Sequence, residues 1–207
     1  MIKEIQIFIE GGSKGQNRAS SQKLRLGFLQ FFDELNQIAR SKSIKFKPII
    51  CGSTDETFRI FRYENTKANN AFLCFLVDSD KPLENDDTPK VFLQREKNWN
   101  FDNVADEQCH LMVQLMESWF LADVEALKTF YGQNFKHNAI PKQPNIEKIA
   151  KIDVENSLDK ATNKTSKGQY HKIKHGADLL SKIETAKVRA KSAHCNRLFE
   201  TISKNLS

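Results

Sequence analysis

With 207 residues, 39% of them hydrophobic and 10% aromatic, the chain has enough apolar material for a packed core, which excludes a disordered chain. No run of 18 apolar residues occurs, so we predict no transmembrane segment and no membrane partner. The net charge of +6 is uneven, because residues 1–136 carry 18 basic and 19 acidic side chains whereas residues 137–207 carry 14 and 7. This basic C-terminal third favours a polyanionic partner.

The first predicted elements are a strand, a glycine loop and a helix. An apolar run over residues 2–9 is typical of a strand covered on both faces, and Glu10 ends it. The glycine-rich segment 11–15 follows. Apolar residues spaced three and four apart then predict an amphipathic helix from Ser21 to about Arg40.

A second strand, a helix and a third strand continue this alternation. We predict a short strand over residues 46–51, and Ser53 with Glu56 forms a capping box for the next helix. Residues 71–77 are an uninterrupted apolar run that stops at 78–80, the sequence Asp-Ser-Asp. Strands that alternate with helices predict an α/β fold with a parallel sheet and helices on both faces.

The second half of the chain is less regular. Residues 81–106 are polar and contain two prolines, so we predict a surface insertion. A short strand over 110–115 and a helix over 117–131 complete a core domain of residues 1–131. Residues 132–207 form a predicted basic helical extension packed on that core, with helices near 153–163, 172–183 and 193–204.

The four cysteines show no CxxC spacing, and two of them lie in apolar runs. We therefore predict buried thiols rather than a disulfide framework or a zinc site. A protein with such cysteines suits a reducing, cytoplasmic setting.

Acidic residues follow two of the predicted strands. Glu10 ends the first, and Asp78 with Asp80 follows another, so all three are expected at one edge of the sheet. Glu117 from a later element completes the set, and Asp123 is a further candidate metal ligand. Hard oxygen ligands without nearby histidine or cysteine favour Mg²⁺ or Mn²⁺. The alternative is that these carboxylates only close turns or cap helices.

The glycine-rich segment 11–15 invites comparison with a phosphate-binding loop. It lacks the GxxxxGK[ST] pattern of a Walker A motif, which argues against ATP hydrolysis by this chain. The glycines would instead let a backbone phosphate approach Glu10.

Nine basic and two acidic side chains lie within residues 160–191. This density favours a phosphate backbone as partner, the alternative being a solvated helical face. His171 and His175, at i and i+4, look more like phosphate contacts than metal ligands, and Lys172 is a candidate to offset negative charge in a transition state. The predicted nucleic-acid contacts are Lys14, Lys164, Lys167, His171, Lys172, Lys174 and His175.

Several longer motifs resemble an uncharacterised bacterial domain family of about this size, over nearly the whole chain. The motifs are IEGG (9–12), CGSTDETF (51–58), FLVDSD (75–80), QCHLMVQLMESWFLAD (108–123), KGQYHKIKH (167–175) and KVRAKSAHCNRLFE (187–200). That family in turn resembles the Toprim-like proteins, such as topoisomerases, primases, the OLD (overcoming lysogenisation defect) nucleases and the RloB-like proteins.

The Toprim signature is a glutamate that ends the first strand and a DxD that ends a later one. Glu10, Asp78 and Asp80 match it, and Glu117 is similar to the Glu-x-Trp element of the RloB-like group. The resemblance implies a Toprim-type metal site. It also implies an ABC- or AAA-type ATPase partner, because genes for such proteins often neighbour an ATPase gene in phage-defence systems.

We therefore expect a two-metal nuclease that hydrolyses DNA or RNA. The alternative is a non-catalytic subunit of an ATPase complex that senses a metal or a nucleotide.

Overall fold

The computed structural model describes residues 2–12, 18–84 and 87–207. Its sheet is entirely parallel, with strand order β2-β1-β3-β4, which confirms the predicted α/β class. The strands are β1 (Glu4–Glu10), β2 (Lys45–Gly52), β3 (Ala71–Asp78) and β4 (Cys109–Met112). The helices are α1 (Arg18–Phe31), α2 (Asp33–Ser41), α3 (Thr54–Asn65), α4 (Pro89–Lys97), α5 (Glu117–Phe120), α6 (Val124–Tyr131), α7 (Lys151–Thr162), α8 (Lys172–Leu180), α9 (Thr185–Lys191) and α10 (Ala193–Leu206).

The central strands β1 and β3 are apolar on both faces because each face meets its own hydrophobic core. Ile7 and Leu76 belong to one cluster, whereas Phe8, Phe75 and Val77 belong to the other. Alternate side chains of a strand point to opposite faces, so an unbroken apolar run is what a sheet covered on both sides requires.

Helices from both halves of the chain build the first core. Phe31 at the end of α1 stacks on Trp119 of α5 with ring centroids 4.8 Å apart, and it also meets Phe199 of α10 at 5.8 Å. Phe32 reaches the same Phe199 at 5.6 Å. The helical extension 132–207 is therefore packed into the main core of the molecule.

The second core lies under α3 and α4, and it includes part of the segment predicted as a surface insertion. Phe92 and Leu93 of α4 are buried, and Phe101 beyond it is buried as well. Phe58 of α3 stacks on Trp99 with centroids 4.1 Å apart. Segment 81–106 thus differs from the prediction, because its few apolar residues cover one face of the sheet despite a polar composition.

Several predicted bounds shift. The helix predicted over 21–40 is interrupted at Phe32, the helix predicted over 117–131 is interrupted before Val124, and α9 was not predicted. The N-cap of α3 is as predicted, since Ser53 accepts a hydrogen bond from the backbone N–H of Glu56. All four cysteines are buried with free thiols. In the described part of the chain, none of the helices is long and apolar enough to cross a membrane.

Candidate acidic site at the carboxyl edge of the sheet

Two carboxylates meet where β1 and β3 end side by side. Residue Ile9 of β1 pairs with Leu76 of β3, which brings the ends of the two strands to the same level. The backbone N–H of Asp78 donates to Glu10 Oε2 at 3.0 Å. Thr54, at the start of α3, gives Glu10 a second hydrogen bond. Strand pairing therefore fixes Glu10 against the backbone of Asp78, as the sequence predicts.

The loop after β4 closes over the end of β3. Asp78 Oδ1 accepts from the backbone N–H of Met116 at 2.9 Å. The backbone N–H groups of Ser79 and Asp80 donate to the carbonyls of Met112 and Gln114 at 3.1 and 2.8 Å. These bonds hold Asp78, which is only 7% exposed, next to the start of α5.

Glu117 opens α5 and is the third carboxylate of the site. Its side chain is buried, and Tyr170 donates its hydroxyl proton to Oε1 at 2.9 Å. The other oxygen, Oε2, is buried and has no hydrogen-bond partner among the described residues. This oxygen lies 3.5 Å from Lys172 Nζ, so an ion pair rather than a hydrogen bond offsets the cost of its burial.

Lys172, the first residue of α8, supplies a positive charge between two of the carboxylates. Its Nζ lies 3.5 Å from Glu117 Oε2 and 3.7 Å from Asp78 Oδ2. Burial alone would lower the pKa of Lys172, but Glu117, Asp78 and Glu10 outweigh that effect and raise it. The ammonium therefore stays charged and partly neutralises the site.

Burial and mutual repulsion make the two strand-end carboxyls hard to ionise. Burial is the main cause that raises the pKa of Asp78 well above its usual range, and the charges of Glu10 and Glu117 add to it against the lowering effect of Lys172. Burial also raises the pKa of Glu10, helped by Asp80, although hydrogen bonds from Asp78 and Thr54 oppose the shift. Strongly perturbed acids in a cleft are a mark of functional sites.

In an extended chain the side chains of Asp78 and Asp80 would point the same way, but the chain is not extended at Asp80. Its backbone has φ 59°, in the left-handed region, so the chain has already turned after β3. Its carboxylate is ion-paired with Lys151 at the start of α7, 2.6 Å away. Asp80 therefore contributes charge near Glu10 while its own nearest cation is a separate lysine.

The structure does not bring Asp123 to this cluster. Asp123 is the N-cap of α6 and accepts from the backbone N–H of Ala126 at 3.3 Å. It also accepts hydrogen bonds from the backbone N–H of Glu184, the residue before α9, at 3.0 Å and from Lys187 Nζ in α9 at 2.9 Å. Both carboxylate oxygens are thus engaged in joining α6 to α9, which corrects the prediction of a metal ligand.

The predicted nucleic-acid contacts divide into exposed and buried residues. Lys164, Lys167, Lys174 and His171 are exposed, and they flank Lys172 in the chain. His175 corrects the prediction, because it is buried and its Nδ1 lies 3.1 Å from the Tyr131 hydroxyl. A residue at i+4 from the N-cap of α8 faces the core on this helix. Lys14 lies outside the described residues.

Two residues of the site, Tyr170 and Lys151, were missed in the sequence. Each comes from the C-terminal third and meets its acidic partner across a long separation, 53 residues for Tyr170 and 71 for Lys151. The tyrosine does lie within the motif KGQYHKIKH, two residues before Lys172, and this position is the local signal for it.

The oxygen donors suit a hard divalent cation in type. The carboxylates of Glu10, Asp78 and Glu117 fit such an ion in chemistry, and Lys172 supplies positive charge to Asp78 and Glu117. Within the described ranges, no three aspartate, glutamate, histidine or cysteine side chains stand close enough together to enclose an ion without rearrangement. Binding would therefore require the carboxylates to draw together.

Fold and site together define an α/β protein that carries a buried acidic site, balanced by lysines, at the carboxyl edge of a parallel sheet. The chain belongs to the family described as "Domain of unknown function (DUF4276)", which it matches over residues 15–203. This confirms the predicted membership of an uncharacterised domain family. No curated protein and no solved structure matches the chain.

Proposed function

We propose that the protein is a Mg²⁺- or Mn²⁺-dependent nuclease that hydrolyses phosphodiester bonds in DNA or RNA. The observation that carries the proposal is the position of Glu10, Asp78 and Glu117 at the edge where parallel sheets bind ligands, with Lys172 beside Asp78 and Glu117. The Toprim-like pattern of a glutamate and a DxD after two strands is similar chemistry, and it supports the same reading.

In this proposal Glu10, Asp78 and Glu117 hold the metal, and Asp80 adds negative charge nearby. The bound metal supplies charge neutralisation at the phosphate and an activated water. Lys172 stabilises negative charge on the phosphate oxygens, because its ammonium already lies within 4 Å of two of the carboxylates. Tyr170 orients Glu117 through a hydrogen bond to Oε1, which leaves Oε2 toward the ligand.

The exposed lysines near α8 extend this chemistry to a polymer. Lys164, Lys167 and Lys174 are exposed and lie within eight residues of Lys172 in the chain, and such positive charge attracts a phosphate backbone by counterion release. An ABC- or AAA-type ATPase partner in phage defence follows from the Toprim-like resemblance and belongs to the same proposal.

The test is to incubate the full-length protein with single- and double-stranded DNA and RNA in Mg²⁺ or Mn²⁺. We expect cleavage that a chelator abolishes, and we expect Asp78→Asn and Glu10→Gln to reduce it by at least about 100-fold, because charged metal ligands are lost. Glu125→Gln is the control, since Glu125 is exposed and contacts only Lys128 among the ion pairs of the described residues. Unchanged cleavage in Asp78→Asn and Glu10→Gln would contradict the proposal.

One observation favours a second candidate, a non-catalytic subunit that senses a metal or a nucleotide. Asp78 and Asp80 are each paired with a lysine, so the acids are partly neutralised without a metal. Calorimetric titration of Mg²⁺ or Mn²⁺ separates the two candidates when it is combined with the cleavage assay. Metal binding without cleavage, alone or with the neighbouring ATPase, would favour the sensor.

A further inference from the structure

A cavity of about 560 Å³ opens beside the acidic site. Glu10, Asp78 and Lys172 form one part of its lining, and cavities of this size accommodate small molecules. The remainder is mostly apolar, although it adjoins charged groups. The apolar lining comes from α1, α8, the end of β4 and the segment between β4 and α5: Leu24, Met112, Met116, Ile173 and Ala177.

The position of Ile173 is not explained by folding alone. It follows Lys172 directly in the first turn of α8, yet it is 45% exposed and faces the cavity. Leu24 approaches the cavity from α1 beside Gly11, where a Cβ on residue 11 would lie 2.5 Å from Leu24 Cδ2 and would displace that side chain. An apolar wall is thus built up to the very end of β1.

The lining has a charged part and an apolar part, and a matching ligand has a charged group joined to an apolar one. Lys172 and the N-terminus of α8 suit a phosphate, and the proposed metal would bind the same group. The apolar wall suits a flat, weakly polar group joined to that phosphate. A nucleobase on its sugar phosphate has this combination, and bases stack on apolar and aromatic side chains without regard to sequence.

We propose that this apolar wall seats one unpaired nucleobase whose phosphate lies at the acidic site. The inference rests on the proposed function and names its substrate class: a single strand or strand end rather than an intact duplex. A base inside a duplex is stacked and paired, and it must be extruded before it can enter a pocket. A free nucleotide carries the same chemistry.

The experiment compares adenosine 5′-monophosphate with ribose 5-phosphate, which lacks only the base. Calorimetry on the full-length protein in Mg²⁺ should give the nucleotide a dissociation constant at least about 5-fold lower, the lower end of the effect of stacking one base on an aromatic ring, because this wall is aliphatic. Ile173→Ser should remove most of that difference. Ile152→Ser is the matched control, because Ile152 is also the second residue of a helix, is 60% exposed and does not line the cavity.

A second arm distinguishes the two sources of the nucleotide. A short single-stranded oligonucleotide should bind more tightly than its blunt duplex and should lose affinity in Ile173→Ser. Binding of the mononucleotide without this preference would identify a free nucleotide as the ligand and would overturn the strand assignment. Three results would overturn the proposal that the apolar wall binds a nucleobase. These are equal affinity for the nucleotide and ribose 5-phosphate, no binding of either, and equal effects of the two serine variants.

Adenosine 5′-monophosphate contains no diester bond, so the binding result does not depend on hydrolysis. Tighter binding of the nucleotide than of ribose 5-phosphate, without cleavage of DNA or RNA, would refute the proposed nuclease but not the nucleobase site. Cleavage without this difference in binding would refute the nucleobase site but not the nuclease.

Discussion

Lys172 is the residue on which the charge balance of the site depends. Its ammonium is the cation nearest to both Asp78 and Glu117, two carboxylates that are buried. Removing one partner of such a cluster leaves the remaining charges without compensation, which costs more than the pairing itself contributes. The half-exposed ammonium, at 57% side-chain exposure, is screened by solvent, so the cost is smaller than for a fully buried pair.

We expect Lys172→Met to lower the free energy of unfolding of the metal-free protein by about 1–2 kcal/mol. Mg²⁺ or Mn²⁺ should restore stability more strongly in this variant than in the original protein, because a metal then provides the missing positive charge. Urea unfolding with and without metal measures both effects. Lys174→Met is the control, since Lys174 is exposed and two residues further along α8. Matching behaviour of the two variants would contradict this role.

His110 in β4 is held in its neutral form by its two partners. Its Nε2 lies 2.9 Å from the carbonyl of Glu107, which can only accept, and its Nδ1 lies 3.2 Å from Arg197 Nη1, which can only donate. The proton is therefore on Nε2. Burial, together with the charge of Arg197, lowers the pKa of His110 to about 3.

Acid should destabilise the protein through His110. Its folded pKa lies below the ordinary value of about 6.5, so between pH 6.5 and 3 the unfolded chain binds the extra proton and stability falls as pH falls. The slope is about 1.4 kcal/mol per pH unit. We expect His110→Gln, which keeps a donor and an acceptor, to lose about 2 kcal/mol less than the original protein between pH 6.5 and 5. Parallel urea-unfolding curves of ΔG against pH would contradict this account.

At the scale of elements, Asp123 shows how a helix boundary decides the role of a carboxylate. The N-cap position lets it bond to Ala126, while Glu184 and Lys187 bring α9 to the same side chain. Burial would raise the pKa of Asp123, but these hydrogen bonds and the charge of Lys187 keep it below its usual value. The residue therefore stays ionised and stabilises the junction of α6 and α9.

Replacing Asp123 with alanine should cost about 1–2 kcal/mol, because a helix cap of about 1 kcal/mol is lost and the backbone N–H of Glu184 loses its acceptor, whereas Lys187 keeps its contact with Glu184. Metal affinity should not change. Asp78→Ala, in contrast, should lower the affinity for the metal. Urea unfolding and Mn²⁺ calorimetry on both variants test this separation, and weakened metal binding in Asp123→Ala would return that residue to the ligand set.

The sequence predicts those elements whose signals are local. The apolar runs of β1 and β3 and the acids that end them are visible because strand burial and strand termination both act within a few residues. The break before Val124 was not visible, since the apolar spacing of 117–131 continues through it. Segment 81–106 differs from its prediction for a related reason: Phe92 and Leu93 are few among polar residues, although they are buried in the second core beside α3.

For the whole molecule, the acidic half of the site could be predicted and its basic half only in part. Glu10 and Asp78 follow from strand order alone, because neighbouring parallel strands end at one edge. Lys151 and Tyr170 reach the site only through the packing of the C-terminal helices, and no short-range pattern encodes such packing. The basic extension is thus part of the site as well as part of the core.

The division at residue 131 should therefore not yield an independent folding unit. The first core draws on both sides of it, and the buried apolar residues beyond it include Leu158, Leu179, Leu198, Phe199 and Ile202. Five such side chains, at about 1.5–3 kcal/mol each, contribute an amount comparable to the whole net stability of a domain, about 5–15 kcal/mol.

We expect the truncated chain 1–131 to show no cooperative thermal transition and to bind a hydrophobic dye, because Phe31 and Phe32 lose their contacts with Phe199 of α10. Differential scanning calorimetry and dye fluorescence provide the measurement. Supplying residues 132–207 as a separate chain should restore a transition and suppress dye binding, since it returns the missing apolar face together with Tyr170 and Lys172. A sharp transition of chain 1–131 alone, near the temperature of the intact protein, would instead mean that the sheet and its first helices are sufficient and that the extension is an addition to a finished domain.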